Sequence, residues 1–288
     1  MLLNDASVAT ISIVAVTESS VNIHEDELAV EEPLEIRINI PRPEGLLQSS
    51  LAVTMRTPGN DAELAAGFLF TEGLVRTPSD IVRIEIPSTN VVEVSLNESV
   101  TFDPTRFDRH SVVTSSCGVC GKRSIDAVFA LRPVALRPGT PMIESRTIHG
   151  LAGSQRAEQT TFHRTGGLHA SALYESDGRL VSLFEDVGRH NALDKLIGAE
   201  FLAGRAPLSN KILLVSGRAS FELIQKSAVA GIPVVAAVGA PSSLAVELAK
   251  QSQMTLLGFV RDNRFNVYTD AGRLAETQAS VDAVSQGH

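Results

Sequence analysis

The chain has 288 residues, of which 43% are hydrophobic and 20% charged, so it can bury a sizeable core and is neither disordered nor fibrous. A net charge of -8 and a pI near 5.4 argue against a broad basic face for nucleic acid. Two cysteines are too few for a disulfide framework, residues 1–16 lack the basic start of a secretory signal, and no apolar run reaches the ~20 residues of a membrane span. We therefore expect a soluble cytoplasmic protein with two domains.

Residues 20–112 are predicted to form a small N-terminal α+β domain. Residues 34–40 and 90–96 alternate apolar and polar side chains, which is typical of half-buried strands. Residues 60–70 begin with helix-capping residue types and end close to Gly73. We therefore expect a helix between the two strands.

The next segment, residues 113–124, contains both cysteines in the pattern Cys117-Gly-Val-Cys120. The small residues around the thiols predict a mobile loop, and Lys122 can favour a thiolate. The spacing alone leaves four interpretations open at similar weight, namely sulfur carriage, half of a zinc site, a thioredoxin-like redox pair and two unreactive cysteines. No second cysteine pair is present to complete a zinc site, and the approach to the motif lacks the βαβ context of a thioredoxin-like pair.

Residues 125–288 are predicted to form a C-terminal α/β domain. A turn at Asp177-Gly178 indicates a hairpin of two strands at residues 171–174 and 180–184. Helices and strands then alternate, which predicts a mostly parallel sheet covered on both faces, with a ligand site beyond the carboxyl ends of its strands. The helices are predicted at residues 188–201, 220–229 and 242–251, and the strands at residues 211–216, 234–238 and 255–260.

Three arginines, Arg218, Arg261 and Arg264, follow predicted strands. Guanidinium groups bind phosphates and the edge of guanine in a bidentate way. Beside Ser216, Gly217 and the start of the helix at residue 220, the three arginines predict an anion site at this edge of the sheet.

Two further segments, residues 165–170 and 185–195, are unusually polar for turns next to buried elements, and as a cluster they indicate function. Each residue also has an ordinary structural explanation: Asp186 as a helix cap, Lys195 on a solvated face and His169 as a hydrogen-bonded core residue. A zinc-dependent nucleobase deaminase would need a His-x-Glu pattern before the cysteines, and the chain contains none.

Five motifs follow one another in a specific order that covers most of the chain. They are Ser116-Cys-Gly-Val-Cys-Gly121, Thr165-Gly-Gly-Leu-His169, Glu185-Asp-Val-Gly-Arg-His-Asn-Ala-Leu-Asp-Lys195, Ser216-Gly-Arg-Ala-Ser-Phe-Glu222 and Ala230-Gly-Ile-Pro233. In this combination the sequence resembles the FdhD family, the formate dehydrogenase accessory sulfurtransferases.

The resemblance implies a cytoplasmic homodimer that takes persulfide sulfur from a cysteine desulfurase and passes it to the bis(molybdopterin guanine dinucleotide) molybdenum cofactor of formate dehydrogenase. It also implies a three-layer, cytidine-deaminase-like α/β fold for the C-terminal domain, without the deaminase zinc site and with no tightly bound metal of its own. Cys117 matches the persulfide-carrying cysteine and Cys120 its partner. The residues predicted to bind the cofactor are His169, Ser216, Gly217, Arg218, Phe259, Val260, Arg261, Asp262, Asn263 and Arg264.

Two competing hypotheses remain at this point. The chain is alternatively a chaperone that binds the molybdenum cofactor for formate dehydrogenase without moving sulfur, or a zinc-bound structural protein. One departure from the family is mild: Gly239 stands where a serine is more common, which excludes a hydroxyl role at that position.

Overall fold

The fold is that of a computed structural model, which describes residues 6–103 and 134–275. The predicted loop at residues 113–124, with Cys117 and Cys120, lies outside the described residues. Within those residues, no helix is long and apolar enough to cross a membrane.

The described residues begin with a hairpin that was not predicted from the sequence. Strands β1 (Val8–Val16) and β2 (Val21–Ala29) pair in antiparallel register. Most of their side chains are exposed, including the apolar side chains of Val16 and Ile23 near the tip. Two strands without a covered face are marginal in water, so this arm depends on contacts at its base.

A four-stranded sheet with one helix forms the N-terminal unit. Its strands β3 (Glu32–Arg42), β4 (Gly45–Arg56), β5 (Ile81–Ser88) and β6 (Val91–Leu96) lie in the order β4-β3-β6-β5. Alternate residues of β3 and β6 are buried against helix α1 (Asp61–Thr71), and a short 3-10 helix spans Pro78–Asp80. The predicted helix and both predicted strands are therefore confirmed, whereas β4 and β5 were not predicted.

The larger C-terminal unit contains the remaining five α-helices of the described residues. They are α2 (Ser145–Glu158), α3 (Thr160–Thr165), α4 (Arg189–Leu202), α5 (Phe221–Val229) and α6 (Ser243–Gln251). The strands are β7 (Ile143–Glu144), β8 (His169–Glu175), β9 (Leu180–Asp186), β10 (Lys211–Val215), β11 (Val234–Ala237), β12 (Thr255–Arg261), β13 (Arg264–Thr269) and β14 (Leu274–Ala275).

Six of these strands form one mixed sheet in the order β13-β12-β11-β10-β8-β9. Only the β10–β11 and β11–β12 pairs are parallel, and the other three pairs are antiparallel. The expectation of a mostly parallel sheet was therefore wrong. The β8–β9 hairpin inserts beside β10, and β13 folds back on β12, so both outer parts of the sheet are antiparallel.

Helices cover both faces of the six-stranded sheet, which gives three layers. Helices α4, α5 and α6 pack on one face, where Leu213, Val235 and Leu256 point. Helix α2 packs on the other face through Ile148 and Leu151. Consecutive strand residues thus enter opposite cores, which explains why these strands are apolar throughout.

The two units meet where α1 crosses α4 at a pair of glycines. A Cβ added at Gly67 would overlap the backbone oxygen of Asp194, and one at Gly198 would lie only 2.7 Å from the nitrogen of Gly67. Contacts this short leave no room for a side chain on either helix. We call this crossing, with the buried polar groups around it, the seam.

Candidate functional site

A cavity of about 670 Å³ opens at the edge of the large sheet where β10, β11 and β12 end and β8 begins. This is the edge at which the sequence analysis placed a ligand site, and the volume is within the usual range for small-molecule sites. The cavity is lined by Ala152, Gly153, Gln155, Arg156, Gln159, Phe162, Gly166, Gly167, Leu168, His169, Ser216, Val238, Val260, Arg261 and Asp262.

Five of the predicted cofactor-binding residues line this cavity, namely His169, Ser216, Val260, Arg261 and Asp262. Gly217 adjoins it, because a Cβ added there would lie 3.4 Å from the His169 ring. The other four predicted residues are exposed at the same edge without lining the cavity. They are Arg218, Phe259, Asn263 and Arg264.

Arg261 connects the ends of two neighbouring strands at the cavity rim. Its Nη1 donates hydrogen bonds to the carbonyl oxygens of Val238 and Val260, each at 2.8 Å. The side chain is nevertheless exposed, and no carboxylate of the described residues forms an ion pair with it. Arg261 is thus a cation held in place at the rim and available to an anion.

Backbone contacts join two loops and the end of β12 at this edge. Gly239 N donates to Gly217 O at 2.9 Å, and Phe259 N donates to Gly239 O at 3.1 Å. A Cβ at Gly239 would lie 2.9 Å from Gly217 O and 3.0 Å from the Cα of Arg218, so the position excludes any side chain. The tight loop packing is possible here because residue 239 is glycine.

The next residue of this edge with unusual geometry is Phe259, whose φ of 53° is left-handed. It lies in an irregular stretch of the β12–β13 pairing, between Gly258 and Arg261. A bulge of this kind turns a side chain away from its regular direction. Phe259 is 38% exposed and directed out of the sheet instead of into its core.

His169 is half-buried in the cavity wall. Burial lowers the pKa of its imidazole below 6.5, the charges of Arg189 and His190 lower it further, and Asp186 opposes them. The ring is therefore neutral near pH 7, and each nitrogen can serve as a donor or an acceptor according to the tautomer. Ser216 complements it: its Oγ accepts a hydrogen bond from Ala170 N at 2.9 Å, so its hydroxyl proton can be donated elsewhere.

The opposite wall comes from α2 and α3, which the sequence analysis missed. Arg156 lies over the ring of Phe162, 4.2 Å from its centroid, and both line the cavity. Gln155 is buried below them and donates to Leu214 O at 3.0 Å. The spacing of Ile148 and Leu151 was a helical signal, but buried Gln155 interrupts the apolar pattern in the next turn.

The polar segment 185–195 has two roles, and the first is at the seam. Lys195 is 2% exposed, and its Nζ lies 2.7 Å from Asp186 Oδ2 and donates to Thr57 O at 2.8 Å. The interpretation of Lys195 as a solvated residue was therefore wrong. Asp186 also accepts from Gly188 N at 2.8 Å, but Gly188 is the N-cap residue of α4 and Asp186 ends β9, so the interpretation of Asp186 as the helix cap was wrong.

A second buried ion pair reinforces the seam. Lys226 Nζ contacts both carboxylate oxygens of Asp194 at 2.8 Å and donates to the Thr71 hydroxyl at 2.9 Å. Burial raises the pKa of Asp194, and Lys226 opposes this shift. Thr71 ends α1, so this network joins elements of both units.

The second role of the segment is at the cavity. The Glu185 carboxylate accepts hydrogen bonds from Thr161 N at 2.9 Å and Phe162 N at 2.8 Å, at the start of α3. Glu185 thus fixes the helix that carries Phe162. Among the described residues, no group of three or more His, Cys, Asp or Glu side chains is placed to hold a metal ion.

Comparisons with known proteins give a consistent result. A family model described as the FdhD/NarQ family matches residues 29–275. A sulfur carrier protein FdhD of Streptomyces avermitilis is 45% identical over 279 residues, covering 93% of this chain and 96% of that protein. The Mycobacterium tuberculosis protein of the same name is 46% identical over 261 residues, covering 86% and 92%.

A solved structure from Desulfotalea psychrophila, described as a formate dehydrogenase accessory protein, has the same fold. Its TM-score is 0.70 at 23% sequence identity, with 93% of this chain and 99% of that chain covered. At this level of identity the likeness concerns the fold alone.

Proposed function

The chain belongs to the FdhD/NarQ family, and on this premise we propose that it is a sulfur carrier protein that serves formate dehydrogenase. The family match carries this proposal, since relatives named sulfur carrier protein FdhD align over nearly their whole length.

The sulfur carrier in this proposal is Cys117. Its thiolate attacks the terminal sulfur of a persulfide on a cysteine desulfurase, the sulfur–sulfur bond of the donor breaks, and the donor cysteine leaves as a thiolate. The product is a persulfide on Cys117, and no external oxidant is needed. The neighbouring Lys122 and Arg123 favour the attacking thiolate by their charge.

The acceptor is the bis(molybdopterin guanine dinucleotide) molybdenum cofactor, which is cargo in this reaction. The cavity is large enough for a single nucleotide end of this molecule. We assign Arg261 at the rim to a phosphate, and His169, Ser216 and Asp262 to polar atoms of the guanosine. Support comes from the cavity lining, which includes residues 260–262 of the stretch predicted from the family.

The three layers around a mixed sheet also support a cytidine-deaminase-like C-terminal fold, which we retain as part of the proposal. A homodimer in the cytoplasm completes it. Gel filtration with light scattering tests the dimer, because a monomeric mass at working concentration would contradict it.

Mass spectrometry of the intact protein tests the sulfur-carrying step. After incubation with a cysteine desulfurase and cysteine, we expect one added sulfur that survives Cys120→Ala and is absent in Cys117→Ala. Labelling that persists in Cys117→Ala and disappears in Cys120→Ala would transfer the role to Cys120.

The competing chaperone hypothesis predicts a different outcome in cells. If Cys117→Ala/Cys120→Ala supported full formate dehydrogenase activity while Arg261→Ala abolished it, the protein would bind the cofactor without moving sulfur. We expect the reverse for the cysteines, namely loss of formate dehydrogenase activity.

A further inference from the structure

Helix α3 is a short wall of the cavity, and carboxylates hold it at both ends. At its start, Glu185 accepts from the backbone nitrogens of Thr161 and Phe162. Near its end, Arg164 contacts Glu27 of the β1–β2 hairpin at 2.7 and 2.8 Å. Six residues are too few for a stable isolated helix, so the position of α3 depends on these partners.

The two carboxylates differ in their surroundings. The Glu27–Arg164 pair is exposed, with 37% and 42% of the two side chains accessible, and exposed pairs of this kind contribute little. Glu185 is half-buried and binds two backbone N–H groups that have no partner inside the helix. Glu185 is therefore the stronger of the two restraints on α3.

Helix α3 and the residue before it contribute two side chains to the cavity lining. Phe162 lies on the helix, and Gln159 immediately precedes it. The side chain of Gln159 is 3% exposed, and its Nε2 has no hydrogen-bond partner among the described residues. This nitrogen is enclosed by the protein, so Gln159 belongs to the packed base of the wall, and partly exposed Phe162 is the side chain that α3 presents to the cavity.

We propose that Glu185 is a positioning residue, which sets α3 so that Phe162 contacts the nucleotide end of the cofactor. This inference rests on the proposed function, because it takes a guanine nucleotide as the occupant of the cavity. Glu185 itself does not line the large cavity and acts through the backbone of α3. Its neighbour Asp186 belongs to the seam, so adjacent acidic residues serve the two regions separately.

Calorimetric titration with GDP, together with amide hydrogen exchange, tests the inference. We expect Glu185→Gln to weaken GDP binding about tenfold and to speed exchange at Thr161 and Phe162, since glutamine offers only one acceptor atom. The amides of α4 should keep their protection. Glu27→Gln is the matched control, and we expect its GDP affinity to stay within twofold of the unmodified protein.

A second variant removes the hydrogen bond between Glu185 and α3 on the side of the helix. Thr161→Pro removes one of the two N–H donors within the first turn of α3, where a backbone N–H has no acceptor inside the helix. It should weaken GDP binding to a similar extent, and the double variant with Glu185→Gln should be little worse than either single one.

A failure of the inference about Glu185 can be distinguished from a failure of the proposed function. If the unmodified protein and both variants bind GDP equally while exchange at Thr161 and Phe162 speeds up, the inference is overturned and the proposed function stands. If the unmodified protein itself does not bind GDP, the assignment of the cavity falls together with the inference. Loss of protection throughout α4 in both variants would show a general structural role and would also overturn it.

Discussion

The seam and the cavity wall are both built from polar residues of the 185–195 segment and its neighbours, yet they are organised in opposite ways. At the seam, each buried lysine is paired with a carboxylate, and two glycines bring the helix backbones into contact. At the cavity, Arg261 is exposed without a carboxylate partner among the described residues, and the Gln159 amide nitrogen has no acceptor there.

The difference shows how to separate structural from binding residues within one polar motif. Groups that satisfy one another inside the protein, such as Asp194 and Lys226, hold elements together. Charged groups that are exposed without a counterpart among the described residues, such as Arg261, mark the surface that meets another molecule. Changes at the seam should therefore lower stability, and changes at the cavity should lower binding.

The largest effect on stability is expected from Gly198→Ala. The added methyl group would meet the backbone of α1, which cannot move aside as a flexible side chain would. We expect a loss of about 3 kcal/mol or more in the free energy of unfolding, measured with urea.

Gly150→Ala is the control for this substitution. Gly150 lies within α2, and a Cβ added there has no atom within 4 Å. Alanine should leave stability unchanged or raise it by up to ~1 kcal/mol. If Gly198→Ala behaved like Gly150→Ala, the seam would not be a close helix contact.

A smaller loss that depends on pH is expected from Lys226→Met. Removing the lysine leaves Asp194 as a buried charge to which the Thr71 hydroxyl still donates, at a cost of about 3 kcal/mol near pH 8. Burial raises the pKa of Asp194 in the folded protein, so on acidification the folded state takes up this proton before the unfolded state does. The loss should therefore be smaller at pH 5.5 than at pH 8.

Urea unfolding at both pH values measures this effect. Lys250→Met, at the exposed end of α6, should stay within about 0.5 kcal/mol of the unmodified protein at each pH. A loss for Lys226→Met that grew on acidification would contradict the assigned charge of Asp194.

The smallest effect on stability, with a clear effect on binding, is expected from Arg261→Ala. We expect GDP affinity to fall about tenfold in calorimetry, because the rim cation is removed. Arg218→Ala serves as the comparison, since Arg218 is exposed at the same edge outside the cavity lining. Equal losses in the two variants would mean that the nucleotide lies across the edge and not in the cavity.

Local patterns in the sequence predicted much of the C-terminal unit. The helices α4, α5 and α6 and the buried strands between them were predicted to within about two residues, because caps and glycines mark their ends. The order and direction in which the strands pair could not be predicted from such local patterns. Strands that are buried on both faces have no alternation of apolar and polar residues. The sequence therefore does not indicate that β8 lies antiparallel beside β10.

The site was predicted in part for similar reasons. Arginines and small residues after strands pointed to the correct edge, and His169, Ser216 and Arg261 do line one cavity. The α2–α3 wall was missed, because Gly150, Gly153 and a buried Gln155 weaken the helical signal of α2. The family resemblance predicted roles for the cysteines, which lie outside the described residues.

The glycine contact at the seam has a consequence for how the protein unfolds. Since neither helix has a side chain at the crossing, a shift of one unit is passed directly to the other, and we expect a single cooperative transition. The same contact also fixes the distance between two residues on either side of residues 104–133. Buried Phe102 belongs to one unit, and Val134, whose nitrogen bonds to Ala228 O, belongs to the other. The two residues that flank residues 104–133, which include Cys117 and Cys120, are thus held at a fixed distance from each other.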